Sequence, residues 1–224
     1  MLAVVARGLK DLKDQVVFVG GATVDLYITN PGGEPLRATD DVDCVIEITS
    51  RAGYRALEEK LRDLKFTHPL DEVRPPICRW RFSGILVDVM PTDEAVLGFS
   101  NRWYPDGMAH AEKRTLPDGQ EIAIFSLPYF LASKIEAFLG RGKNDFYGSQ
   151  DMEDIVTVID RAEDLRDKVL GAPKAVKNYI REKFGSFLSN ELFVQSVTGH
   201  LGPGVGPGRV ERALELLRDL ANKS

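Results

Sequence analysis

Short apolar runs and helical patterns divide the chain into two halves with different periodicity. Before about Phe125, five runs have the length and residue types of β-strands, and Thr49 to Leu64 has helical spacing. The five runs are QVVFVG, DDVDCVIEI, ICRWRFSG, ILVDVM and EIAIF. After Phe125 the pattern is helical almost without interruption. The sequence therefore predicts an α+β fold, with a mixed-sheet domain over residues 1–125 and a helical bundle domain over residues 126–224.

Five helical patterns fill the second half of the chain. They are LPYFLASKIEAFLGRG, SQDMEDIVTVIDRA, EDLRDKVL, PKAVKNYIREKFGSFLSN and RVERALELLRDLA. Apolar residues at helical spacing give such segments one face that must be buried against other helices. A helical bundle is the arrangement that this pattern predicts.

Two aspartates share one face of the predicted strand in TDDVDCVIEIT. Side chains alternate along a strand, so Val42, Cys44 and Ile46 form an apolar face, while Asp41 and Asp43 point the other way. Two like charges this close repel each other unless a cation or strong donors lie between them. In the alternative interpretation, the acidic residues end a turn and keep a strand edge soluble.

A pair of glycines follows the preceding predicted strand. The run VVFVGGATVDLYI predicts a strand at Val16 to Val19, a turn at Gly20 and Gly21, and then a helix. Such a turn exposes backbone N–H groups that suit a phosphate, although a Gly-Gly turn also serves close packing. Together with a following Asp-x-Asp strand, it supplies donors for phosphates and oxygen ligands for Mg²⁺, as a nucleoside triphosphate complex requires.

A third carboxylate lies inside a later apolar strand. In ILVDVM, the valines on either side of Asp88 share one face and Asp88 points to the other. A charge inside an apolar strand needs a partner. That partner is either a salt bridge to Arg79 or Arg81 on the neighbouring run, or a metal site shared with Asp41 and Asp43.

Composition limits the classes of protein that need to be considered. The chain has 224 residues, 43% hydrophobic and 28% charged, which is ordinary for a globular protein. A net charge of -5 argues against non-specific coating of nucleic acid but allows a local basic patch. Cys44 and Cys78 lack metal-ligand spacing and fit a reducing cytoplasm. Because no segment has the features of a secretory signal or a membrane span, we expect a cytoplasmic protein without a membrane partner.

The order of these motifs resembles the DNA polymerase β-type nucleotidyltransferase superfamily. The resemblance is carried by Gly20-Gly21, then Asp41-x-Asp43, then Asp88 on a later strand. It implies a mixed-sheet nucleotidyltransferase domain and Mg²⁺-dependent transfer of a nucleotide from a nucleoside triphosphate to an acceptor hydroxyl. In that family, the glycine turn holds the triphosphate and the aspartates are the catalytic residues that bind the metal.

The second half resembles a narrower family, the AbiEii-like toxins of type IV toxin-antitoxin systems. The matching residues are Lys134, Arg141 and the pair Asp151-x-x-Asp154. The resemblance implies a catalytic, nucleotide-binding Lys134 and a nucleotide-binding Arg141, with accessory roles for the two aspartates. Capping of a helix by Ser149, with acidic residues in the first turn, explains the same aspartates without any chemistry.

The resemblance also implies partners and a location for the active site. The active site is expected in the cleft between the two domains, with tRNA or another RNA end as the favoured acceptor and an antitoxin as a cognate partner. Two other interpretations stay open. The first is an antibiotic-modifying nucleotidyltransferase of the aminoglycoside type, because G-G-A-x-x-D-L before D-x-D is similar to that group as well. The second is an inactive module that binds a nucleotide or a partner protein.

One basic run in the helical half is a candidate docking surface for RNA. Its basic residues are interleaved with two aromatic ones: Lys174, Lys177, Tyr179, Arg181, Lys183 and Phe184. An acceptor RNA would use a run of this kind, although most such runs are solvated helix faces.

Overall fold

The computed structural model describes residues 1–30, 36–69, 71, 73, 75–202 and 206–222. In chain order, the elements of the first half are α1 (Leu2–Leu9), a first 3-10 helix (Lys10–Gln15), β1 (Val16–Val19), a second 3-10 helix (Gly21–Tyr27), β2 (Asp41–Ile46), α2 (Arg51–Asp63), β3 (Arg79–Phe82), β4 (Ile85–Pro91), α3 (Glu94–Leu97), α4 (Tyr104–Ala109), β5 (Glu112–Thr115) and β6 (Glu121–Ile124). The second half contains α5 (Leu127–Arg141), α6 (Gln150–Arg161), α7 (Leu165–Gly171), α8 (Lys174–Leu188), α9 (Glu191–Leu201) and α10 (Pro207–Ala221). This composition confirms the predicted α+β class.

The six strands form one mixed sheet, as predicted. Their order across the sheet is β3-β4-β2-β1-β6-β5. The β2/β4 and β1/β6 pairs are parallel, and the other three pairs are antiparallel. The five predicted runs contain β1, β2, β3, β4 and β6. The sequence does not predict β5, because this edge strand reads EKRT and has no apolar face.

The chain divides into two compact units. The first consists of Met1–Thr23 and Arg37–Ser126 and contains the sheet. The second consists of Val24–Leu36 and Leu127–Ser224 and contains α5 to α10. The second unit thus includes an early segment that the predicted boundary assigns to the first domain.

Backbone hydrogen bonds explain why that early segment belongs to the helical unit. The N–H groups of Thr29 and Asn30 both donate to the carbonyl of Arg161, each at 3.1 Å. The Tyr27 ring also packs on Phe130, with 4.7 Å between the ring centroids. Contacts over such a long sequence separation follow from tertiary packing and leave no local pattern in the sequence.

One helix of the first unit is tied to the sheet beside the predicted site. Ser50 caps the N-terminus of α2, accepting from the Gly53 N–H at 3.1 Å. The helix buries Tyr54, Leu57 and Leu61, which recur at helical spacing. The Tyr54 hydroxyl donates to the carbonyl of Val89 on β4 at 3.0 Å. This contact fixes α2 against the strand that carries Asp88.

The helical unit is built around buried aromatic rings. Phe138, Phe146, Phe187 and Phe193 form a cluster with centroid separations between 5.0 and 5.7 Å. Phe193 lies on α9, a helix that the sequence does not predict because its β-branched residues weaken the helical signal. Within the described residues, no helix is both long enough and apolar enough to cross a bilayer.

Candidate functional site

The register of the sheet brings the three predicted aspartates together. In the parallel β2/β4 pair, Asp43 lies opposite Asp88. Asp41 is two residues before Asp43 and therefore faces the same side of the sheet. One carboxylate oxygen from each of the three aspartates lies within 4.8 Å of the other two. We call this cluster the carboxylate triad.

The triad is only partly open to solvent. The side chain of Asp88 is 12% exposed and that of Asp41 is 35% exposed. Like charges directly opposite each other on neighbouring strands destabilise a sheet, and partial burial weakens the screening of that repulsion by water. The triad therefore needs a positive partner.

Arg79 on β3 is such a partner. It lies opposite Asp88 in the antiparallel β3/β4 pair. Its Nε donates to Oδ1 of Asp88 at 2.9 Å and its Nη2 to Oδ2 at 2.8 Å, and Nη2 also lies 3.4 Å from Oδ2 of Asp41. The salt bridge considered from the sequence is thus formed with Arg79, whereas Arg81 pairs with Asp71. The sequence motifs name Arg79 only as an alternative to a metal site, whereas in the structure it lies beside Asp41 as well as Asp88.

The two cysteines next to the triad do not add ionised donors to it. Both are free and buried. Burial, and then the charges of Asp43 and Asp88, hold the pKa of Cys44 well above its ordinary value. Burial and Asp88 likewise raise the pKa of Cys78 to about 12. Both thiols therefore stay protonated near neutral pH, and the ionised donors of the site are hard carboxylate oxygens.

The predicted glycine turn is packed directly against the triad. Gly20 has a φ of +76°, which favours glycine, and a Cβ at this position would lie 2.0 Å from Oδ2 of Asp43. Thr23 closes the turn by donating to the Gly20 carbonyl from its N–H at 3.2 Å and from its hydroxyl at 2.9 Å. The helix predicted after Gly21 is a 3-10 helix. A role of this turn in holding phosphate stays a prediction.

The triad fits a divalent cation that prefers oxygen ligands. Opposite ligands of a bound Mg²⁺ are about 4.2 Å apart. The triad oxygens lie within 4.8 Å of one another, a spacing compatible with ligands gathered around one ion. Asp41, Asp43 and Asp88 could therefore hold such an ion.

The four residues predicted in the second unit also form one cluster. Lys134 is buried on α5, with Nζ 2.6 Å from Oδ2 of Asp154 and 3.1 Å from Oδ1 of Asp151. Arg141 donates to both oxygens of Asp151, from Nε and Nη2, each at 3.1 Å. Ser149 caps α6, so the structure contains the predicted helix cap as well as the ion pairs. We call this group the lysine cluster.

Electrostatic coupling shifts the pKa values of Lys134 and Asp151 so that their charged forms are favoured. Burial lowers the pKa of Lys134, but the charges of Asp154 and Asp151 outweigh this effect and raise it overall. Burial raises the pKa of Asp151, but Lys134 and Arg141 lower it overall. The stability from Asp151 is present above its unfolded pKa of about 3.9 and is lost as pH falls through the lower folded pKa. The stability from Lys134 is present below about pH 10.4 and is lost as pH rises through its higher folded pKa.

The structure removes part of the basis for RNA docking on α8. Tyr179 and Phe184 are buried, so neither ring is available to stack on a base. Lys177 donates to the carbonyl of Leu170 at 2.9 Å, and Lys183 lies over the Tyr179 ring at 5.5 Å. The two aromatic rings therefore belong to the core of the helical unit, and docking of RNA on this basic run stays a prediction.

The predicted site residues thus form two groups, one in each compact unit. The carboxylate triad and Gly20 lie in the first unit, and the lysine cluster lies in the second. The predicted location of an active site in a cleft between the domains stays a prediction. In the comparisons with known proteins, no family model and no curated protein matches this chain.

Replacing Gly20 by alanine should cost more stability than replacing Gly84. Both glycines have a positive φ, +76° and +82°, so alanine pays about 1–2 kcal/mol of backbone strain at either position. At Gly20 the new methyl would also lie 2.9 Å from Cγ and 3.1 Å from Cβ of Asp43, whereas nothing lies within 4 Å at Gly84. We expect the larger loss in the free energy of unfolding for G20A in urea titrations. Equal losses would contradict the close packing of Gly20 on Asp43.

Loss of the buried cation of the lysine cluster should lower the free energy of unfolding far more than loss of the exposed one. Lys134→Met leaves two buried carboxylates without their shared ammonium, so we expect the free energy of unfolding to fall by about 3–5 kcal/mol. Arg141→Gln should cost about 0–1 kcal/mol, because this side chain is 74% exposed and Asp151 keeps Lys134. Urea unfolding of both variants at pH 7 measures the difference. Similar losses for the two variants would show that burial does not determine how much each cation of this cluster contributes to stability.

Proposed function

We propose that this protein is a Mg²⁺-dependent nucleotidyltransferase, which moves a nucleoside monophosphate from a nucleoside triphosphate to an acceptor hydroxyl. The observation that carries the proposal is the convergence of Asp41, Asp43 and Asp88 within 4.8 Å, beside the turn at Gly20. Their order along the chain, with the glycine turn first, is the order that characterises the superfamily described above.

The mutual repulsion of the triad carboxylates supports a cation as their ligand. The guanidinium of Arg79 contacts two of the three aspartates, Asp88 and Asp41. Three carboxylates this close repel one another in a partly buried site, which favours the binding of further positive charge. A divalent cation would remove that repulsion.

Each of the proposed residues has a specific role. Asp41, Asp43 and Asp88 would hold Mg²⁺, which when bound would neutralise the triphosphate and favour deprotonation of the acceptor hydroxyl. Backbone N–H groups at Gly20 and Gly21 would donate hydrogen bonds to the phosphates. The acceptor oxygen attacks the α-phosphorus, and pyrophosphate leaves.

The lysine cluster would contribute to nucleotide binding through its exposed member. Arg141 is 74% exposed and holds its guanidinium on Asp151, so it is the cation that a dissolved phosphate reaches. Lys134 is buried against Asp151 and Asp154 and acts as a positioning residue for that pair. The favoured acceptor is an RNA end, as in AbiEii-like toxins, and an antitoxin would be the cognate partner.

Asp43→Asn should lower transfer activity without lowering the stability of the fold. Asp40→Asn is the matched control. D43N removes one of three mutually repelling charges, so we expect a melting midpoint at or slightly above that of the wild type. Transfer should fall by about 100-fold or more, since the metal loses a ligand. Asp40 is exposed and outside the triad, so D40N should keep its activity.

The assay follows pyrophosphate release and label from each of the four nucleoside triphosphates. The acceptors are total RNA, total protein and a panel of aminoglycosides. Label in the aminoglycoside fraction alone would replace the toxin-like proposal by the antibiotic-modifying one. A destabilised D43N variant with full activity would show that the triad is structural and that the proposed function is wrong.

A further inference from the structure

Arg79 contacts the carboxylates that a metal ion in the triad would use. Its guanidinium engages both oxygens of Asp88, at 2.9 and 2.8 Å, and approaches Asp41 at 3.4 Å. The side chain is 20% exposed, and its backbone N–H is fixed by the Pro76 carbonyl at 2.9 Å. Arg79 is thus held beside the triad by the strand from which it extends.

A guanidinium and a metal ion at this site weaken each other's binding to Asp88. A metal ion bound to an oxygen of Asp88 lies about 2.1 Å from it, while the donor nitrogens of Arg79 already lie within 2.9 Å of both oxygens. The two cations would then be close neighbours in a partly buried site, where repulsion is weakly screened. Two of the roughly four lone-pair sites of the Asp88 carboxylate accept charge-assisted hydrogen bonds from Arg79, so fewer of them are left for a metal.

We propose that Arg79 is a built-in counter-cation, which stabilises the metal-free triad and competes with a divalent cation for Asp88. This inference rests on the proposed metal site and adds a residue that lowers its affinity. Binding of the metal releases the guanidinium from Asp88, and removal of the metal restores the salt bridge. Arg79 therefore sets the metal concentration at which the site fills.

The test is a titration of nucleotide-free protein with Mn²⁺, followed by calorimetry and by electron paramagnetic resonance of the free ion. Arg79→Gln should lower the dissociation constant for Mn²⁺ by about tenfold or more, as expected when a neighbouring arginine no longer competes for a carboxylate. Without metal, its melting midpoint should fall below that of the wild type, and Mn²⁺ should restore it.

Arg81→Gln is the matched control. Arg81 lies two residues further along β3 on the same face, and it holds Asp71 in a similar two-point contact at 2.6 and 3.0 Å. R81Q should leave the affinity for Mn²⁺ unchanged. If R79Q does not fold, Arg79→Lys tests the same competition, because lysine keeps the charge but loses the two-point contact. R79K should still bind Mn²⁺ more tightly than the wild type.

The outcomes distinguish this inference from the proposed function. If D43N abolishes Mn²⁺ binding while R79Q and R79K bind it no more tightly than the wild type, the metal site stands and competition by Arg79 is wrong. If the wild type and all variants fail to bind Mn²⁺, both the metal site and the inference are wrong.

Discussion

Parallel pairing of β2 with β4 is the constraint on which the candidate site depends. It sets Asp43 opposite Asp88, two like charges on neighbouring strands, with Asp41 on the same face. Pairing of β3 with β4 then sets Arg79 on the other side of Asp88. The turn at Gly20 approaches Asp43 so closely that no side chain fits between them. Charge, strand register and turn are therefore parts of one arrangement, and the aspartates are close because the backbone pairing holds them there.

The lysine cluster and the carboxylate triad differ in the arrangement of their charges and hence in what they indicate. In the lysine cluster, Lys134 and Arg141 face Asp151 and Asp154, so the charges of the four residues cancel and the buried members satisfy one another. In the carboxylate triad, three like charges lie within 4.8 Å of one another, and Arg79 contacts Asp88 and Asp41. Buried ion pairs satisfy one another, whereas carboxylates that converge near the surface favour a ligand of opposite sign.

Local patterns in the sequence predicted the strands and acidic residues of the site better than the contacts between them. Alternation along β2 placed Asp41 and Asp43 on one face, and the lone charge in β4 singled out Asp88. The two-point contact of Arg79 depends on strand register, which no local pattern contains. Likewise, β5 and α9 were not predicted, because β5 lacks an apolar face and α9 carries β-branched residues. The packing of the early segment on Arg161 required the tertiary structure.

The most direct test of the metal centre is anomalous diffraction from crystals of the wild-type protein grown with Mn²⁺. We expect an anomalous peak within bonding distance, about 2.1–2.2 Å, of oxygens from Asp41, Asp43 and Asp88, with the guanidinium of Arg79 displaced from Asp88. The absence of any peak at the triad at millimolar Mn²⁺, with Arg79 still bound to both oxygens of Asp88, would contradict the proposed metal site.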